Sequence, residues 1–167
     1  TGLLCEIDLQ MFNTMTGTGT LKIYSGSGIS GTLLTSQSVN VNVPSMTSVW
    51  QNWTISSPPL VTNGSVYTFQ FIPTQGGGLP DPYGVNVQTS NVYSGGHDLA
   101  DINMDLTFRT HINITTTQCA RDQSQLLTIA GRSARNLAGY YEGQTFTAGT
   151  TGLLCEIDLQ MFNTMTG

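Results

Sequence analysis

"TGLLCEIDLQMFNTMTG" stands at residues 1–17 and returns, letter for letter, at residues 151–167. Chance does not give a seventeen-residue identity inside a chain of 167 residues, and an old duplication would have drifted. From Cys5 onward, apolar Cys5, Ile7, Leu9 and Met11 alternate with polar Glu6, Asp8 and Gln10. Period 2 is the pattern of a β-strand with one wet face. A helix would scatter the same apolar residues around its axis. Gly2 precedes the run, and Asn13, Thr14 and Gly17 follow it as turn residues. Each copy is therefore one complete strand with its turns. Such a strand is unstable alone, because its backbone groups and its apolar face both need partners. If the first copy is paired in a sheet, the second is expected to need an equivalent slot elsewhere.

The residues between the copies continue in the same style. "GTLKIYSG" (19–26) sets Leu21 and Ile23 against Lys22 and Tyr24, and "GTLLTSQSVNVNV" (31–43) ends in Val39, Val41 and Val43. "SVWQNWTI" (48–55), "GSVYTFQFI" (64–72), "YGVNVQT" (83–89) and "MDLTFRTHINI" (104–114) are further strand-like runs. Gly- and Pro-rich loops at 74–84 and 91–103 separate them. Many short alternating runs at this spacing predict an all-β, antiparallel, jelly-roll-like β-sandwich. Ile7, Leu9, Ile23, Val41, Phe69, Phe71, Val85 and Phe108 are expected to point inward. Residues 115–150 are less periodic. A short helix between Ala120 and Leu137, or a strand over 123–130 with a loop, fits them equally, and "GQTFTAG" (143–149) is strand-like.

The chain has a one-domain length. Charged residues are 9% of it, and the net charge is −5. Five basic residues, Lys22, Arg109, Arg121, Arg132 and Arg135, cannot line a phosphate track, so a nucleic-acid partner is not expected. No run reaches the length of a membrane span. Of the three cysteines, Cys155 repeats Cys5, so one period holds Cys5/Cys155 and Cys119, with no zinc spacing. The choices are buried thiols or a disulfide, Cys119–Cys155 or Cys5–Cys119.

In order, "DQSQ" (122–125), "GQTFTAGTTGLLCEIDLQM", "GTLKIYSGSGISGTLL", "VTNGSVYTFQF", "YGV", "NVYSGG" and "DLTFRT" (105–110) resemble an extracellular bacterial β-sandwich repeat module of secreted and cell-surface proteins, of adhesin or filament type. The resemblance implies a jelly-roll-like sandwich and a secreted or cell-surface location, and implies no catalytic site. It also implies a rotated order, since the module's beginning lies near Asp122 and its end near residue 112. Residues 1–114 then form the main part of a sandwich, 115–142 a connector, and 143–167 strands of the next repeat or of a neighbouring sandwich. The chain reads as one 150-residue period plus the first strand of the next.

Chemistry-bearing residues are few. His97 and His111 have no nucleophile beside them in sequence, and no paired-acid arrangement stands out, so an enzyme is not expected. Asp98, Asp101, Asn103 and Asp105 offer hard oxygen ligands for Ca²⁺ on a loop, against the plainer reading of a solvated loop; no other cofactor is indicated. Trp50, Trp53 and Tyr93 are candidates for a sugar-stacking platform, although Trp50 and Trp53 fall on opposite faces of one strand. The assembly strand is Leu153, Leu154, Ile157, Leu159, Met161 and Phe162, whose apolar bulk calls for burial. The first functional expectation is a structural subunit or tandem repeat of an extracellular filament or surface adhesin, partnered head-to-tail with copies of itself through strand exchange. The alternatives are a carbohydrate-binding module with glycan partners, and an engineered permutant in which either copy fills one slot.

Overall fold

The computed structural model describes residues 2–12, 15–43, 48–74, 83–115, 118–126, 130–134 and 142–161. The described elements are all strands: β1 (Gly2–Phe12), β2 (Met15–Ser25), β3 (Leu33–Val43), β4 (Val49–Thr54), β5 (Leu60–Val61), β6 (Val66–Pro73), β7 (Tyr83–Gln88), β8 (Asp105–Thr115), β9 (Gln118–Gln125), β10 (Ala130–Ala134), β11 (Glu142–Thr147) and β12 (Gly152–Met161). They form two sheets packed face to face, as the alternation predicts. The smaller sheet has the order β11-β6-β2-β3, antiparallel throughout. The larger has eight strands when both copies of the repeated segment are counted. In it β9 lies on one edge of β8 and the repeated strand on the other, followed by β4 and β5. Strand β7 pairs with the end of β1 and the start of β8, and carries β10 on its far edge.

Ile7, Ile23, Val41, Phe69, Phe71, Val85 and Phe108 are all buried, while the side chain of Leu9 lies outside the described residues. Phe69 meets Phe108 across the sheets at 5.7 Å between ring centroids, and Trp53 stacks on Phe71 at 4.8 Å. Each of the fully buried Phe side chains stabilises the fold by about 1.5–3 kcal/mol.

Strand β6 is buried on both faces: Thr68 and Gln70 are buried, as Phe69 is. The turn after β2 folds over it, where the Thr68 hydroxyl accepts from Gly28 N–H at 2.9 Å and donates to the Gly26 carbonyl at 2.8 Å. Gly26 and Gly28 have φ of 83° and 81°, a left-handed backbone that glycine adopts without penalty. The region given the choice of helix or strand is strand: β9 pairs along β8, and β10 pairs with β7 from Ala130↔Val87 to Ala134↔Tyr83. Open edges on β8 and β7 supply backbone partners that an isolated short helix lacks. Residues 127–129 and 135–141 lie outside the described residues. β9 and β10, which fall within the 115–142 segment, thus pair with β8 and β7 of the larger sheet.

Candidate functional site

One strand position in the larger sheet is claimed twice. Copy one, in β1, pairs with β8 through Leu3↔Asn113, Leu4↔Ile112, Glu6↔His111, Ile7↔Thr110, Asp8↔Arg109 and Leu9↔Phe108. Copy two, in β12, pairs with the same residues through Leu153, Leu154, Glu156, Ile157, Asp158 and Leu159, with the register shift at the same place. The opposite edge repeats the coincidence. Gly2 and Gly152 both lie against Val61, and Met11 and Met161 against Val49. Leu4 N–H and Leu154 N–H both donate to the Pro59 carbonyl, at 3.1 and 3.0 Å.

A strand edge presents a single row of donors and acceptors, and the other edge of β8 is taken by β9. The slot therefore holds one copy at a time. β1 and β12 run in parallel register from Gly2↔Gly152 to Leu9↔Leu159, in a position that one backbone can fill at a time. This coincidence is neither a strand pairing nor a Cys5–Cys155 cross-link. Copy two reaches this slot through residues 142–151, where β11 pairs with β6 and returns the chain to the mouth of the slot. There Ala148 exchanges backbone bonds with Gly64 and Ser65, and Asn63 N–H donates to Thr151 Oγ1 at 2.7 Å.

The inner face of the slot is apolar. Leu4 and Ile7, or Leu154 and Ile157, are fully buried there. Leu153 is buried as well, the side chains of Leu159 and Met161 lie outside the described residues, and Phe162 lies beyond them. The outer face is polar and walled by two strands. From β8, His111 Nε2 lies 3.5 Å from Asp8 Oδ2, and its Nδ1 lies 3.2 Å from Glu156 Oε2. From β4, Asn52 Nδ2 donates to Glu156 Oε1 at 3.3 Å. Arg109 of β8 places its guanidinium carbon 3.9 Å over the ring of Trp50 in β4. Burial pushes the Asp8 carboxyl up, with Arg109 opposing. Burial pushes the His111 imidazole down to about 4, with Glu6 opposing and Arg109 and Arg121 adding to the shift. Asp8, His111 and Glu156 have ligand atoms within 4.8 Å of one another. Asp8 and Glu156 belong to different copies, however, so one occupant never assembles that trio.

The calcium candidates accept hydrogen bonds within and beside their own loop. Asp105 is buried, and its Oδ2 accepts from Val92 and Tyr93 N–H, both at 2.8 Å, while Oδ1 accepts from Gln144 Nε2 at 3.1 Å. Asp98 Oδ1 accepts from Ala100 N–H at 3.1 Å. Asp101 Oδ1 closes a turn on Asn103, accepting from its backbone N–H at 2.9 Å and its side-chain amide at 3.1 Å. These carboxylates serve backbone and amide donors in the loop. The aromatic candidates also separate. Trp53 lies in the core, its Nε1 donating to the Asn40 carbonyl at 2.7 Å, while Trp50 lies outside under Arg109. Tyr93 packs edge-on against Phe108 at 5.3 Å, and its hydroxyl accepts from Thr147 N–H at 3.3 Å. Cys119 stands opposite Asn113 on β9, and its side chain lies outside the described residues.

Sequence reading missed Arg109, His111 and Asn52. Their signal was present: Arg109 and His111 are two apart on a predicted strand, as are Glu6 and Asp8 on the repeated one, so each pair shares a face. What was hidden was that the two strands are neighbours. No protein-family model matches the chain, and no curated protein or solved structure is found similar to it.

Proposed function

We propose that this chain is a structural repeat of an extracellular filament or surface adhesin, in which the strand at each unit boundary can complete either of the two sandwiches it joins. One observation carries the reading: two identical strands, 150 residues apart, fit one slot in one register. With period 150, each period brings one slot and one strand, and the strand beginning the next period also reaches back to the slot before it. Head-to-tail contacts of this kind need not close on themselves and so can extend along an array. Strand addition supplies both main-chain hydrogen bonds and apolar burial. The secreted setting is supported by the resemblance of the motifs and by a composition poor in charge and rich in Thr, Ser, Gly and Asn.

Truncation tests the reading. Removing residues 151–167, or removing residues 1–12, should leave a folded sandwich with a similar thermal midpoint, because either copy suffices. Removing both should abolish the cooperative transition. If either single deletion unfolds the chain, the copies are not interchangeable and the shared-strand function is lost with them.

A further inference from the structure

We infer that the slot selects its strand by charge as well as by apolar fit: Arg109 and His111 of β8 read the Glu-x-Asp pair on the outer face of the incoming strand. This rests on the shared-strand reading and adds the determinant of recognition. The ligand class is an extended strand, apolar on its inner face and acidic at two outer positions, and its source is another copy of this chain's own segment.

Register supports the assignment first. Glu6 or Glu156 stands opposite His111, and Asp8 or Asp158 opposite Arg109. The four positions share the outer face, so in one register the Asp position stands opposite the Arg109 guanidinium and the Glu position opposite the His111 imidazole, a hydrogen-bonding partner. A slip by one residue would turn the acids toward the core and the apolar set outward. A slip by two would keep the faces but leave one acid without its opposite number. Apolar alternation alone does not distinguish the correct register from a two-residue slip, and the charges do. Opposite charges across a strand pair stabilise modestly, while like charges there are unfavourable, so the selective power lies mainly in rejecting a wrong strand.

The second support is the reach of Arg109. The slot strand lies between β8 and β4, so an Arg109 side chain that rests on Trp50 crosses over the occupant. Asn52 holds Glu156 from the β4 side. The occupant's outer face is thereby contacted from both walls. Arginine suits this role, since its planar guanidinium stacks on an indole while facing a carboxylate.

The duplication makes a clean experiment, because the unaltered copy keeps the sandwich folded. The 167-residue chain carrying Glu6→Lys and Asp8→Lys is compared with the same chain carrying Glu156→Lys and Asp158→Lys, by amide hydrogen exchange resolved on residues 2–12 and 152–161. The expected result is that protection moves to the acidic copy in each variant, shifting the occupancy ratio at least tenfold in opposite directions. Adding Arg109→Glu and His111→Glu to either variant should return protection to the lysine copy. Occupancy unchanged by charge reversal would overturn the inference while leaving the one-slot reading intact. Full protection of both copies at once in the unaltered chain would instead sink the one-slot reading itself.

Discussion

Gln144 shows how a polar side chain comes to be fully buried in this fold. Its Oε1 accepts from Leu106 N–H at 3.0 Å, and its Nε2 donates to Asp105 Oδ1 at 3.1 Å and to the Thr145 carbonyl at 2.9 Å. It thus links the smaller sheet to the start of β8. Gln144→Leu keeps the volume but strands a backbone donor and a carboxylate oxygen, and should destabilise by about 2–4 kcal/mol in urea unfolding. Asp105 adds a pH dependence. Burial raises its pKa above the usual 3.8, outweighing the hydrogen bonds it accepts. Because the folded chain then holds this proton more tightly than the unfolded chain, the stability it contributes is full below the unfolded pKa and is lost as pH rises through the folded one. The unfolding free energy of the natural chain should therefore fall relative to that of Asp105→Asn as pH is raised from 4 toward neutrality. None of this was legible in the sequence. Asp98, Asp101, Asn103 and Asp105 present the same spacing whether they hold an ion or serve as acceptors for a folded loop. Only the fold shows the Val92 and Tyr93 amides aimed at Asp105. The opposite faces of Trp50 and Trp53 were legible, because strand geometry alone fixes them.

The strands themselves were readable wherever one face is wet. Alternation located β1, β3, β2 from Gly19 onward, and β8 to within one residue at each end, but it took Gly17 for a turn where β2 already runs. It failed for β9 and β10, whose outlines come from the open edges of β8 and β7. It also could not count slots, since the position of Thr151 depends on how β11 returns along β6. With one slot and two identical strands, the pairing with β8 is the same for either occupant; β1 pairs further with β4 and with β7, Leu153 is more buried than Leu3, and the tethers differ, copy one running on into β2 and copy two arriving from β11 through Ala148 and Thr151. A small steric change should therefore decide the occupant. A methyl group on Gly152 would collide with Cγ2 of Ile112. Gly152→Ala should bias the slot toward copy one, read as increased protection of residues 2–12 and faster exchange of residues 152–161, with little change in global stability because the alternative strand is intact.

At the scale of the whole molecule, slots and strands can be counted. A chain with one slot and two strands has one strand left over whichever copy is bound. If copy two enters a second molecule's slot, that molecule's own copy one is displaced, and the number of unburied strands stays the same. Exchange between separate chains thus gains no burial while sacrificing translational freedom. The tethered copies also compete at high effective concentration, of order millimolar for short linkers. Isolated 167-residue chains should therefore remain monomeric by light scattering at dilute concentration, with the surplus strand open to proteolysis and to edge pairing at high concentration. A continuous array differs. Each added period brings one slot and one strand, so the surplus stays at one strand however long the array becomes, and every internal boundary strand is buried. Extending the chain by one further 150-residue period should then add a second cooperative sandwich while leaving only one copy of the repeated segment unprotected in hydrogen exchange. Two unprotected copies in that longer chain would show that the boundary strand is not shared. A single one, at either end or divided between the ends, is the outcome expected if each period carries one shared slot.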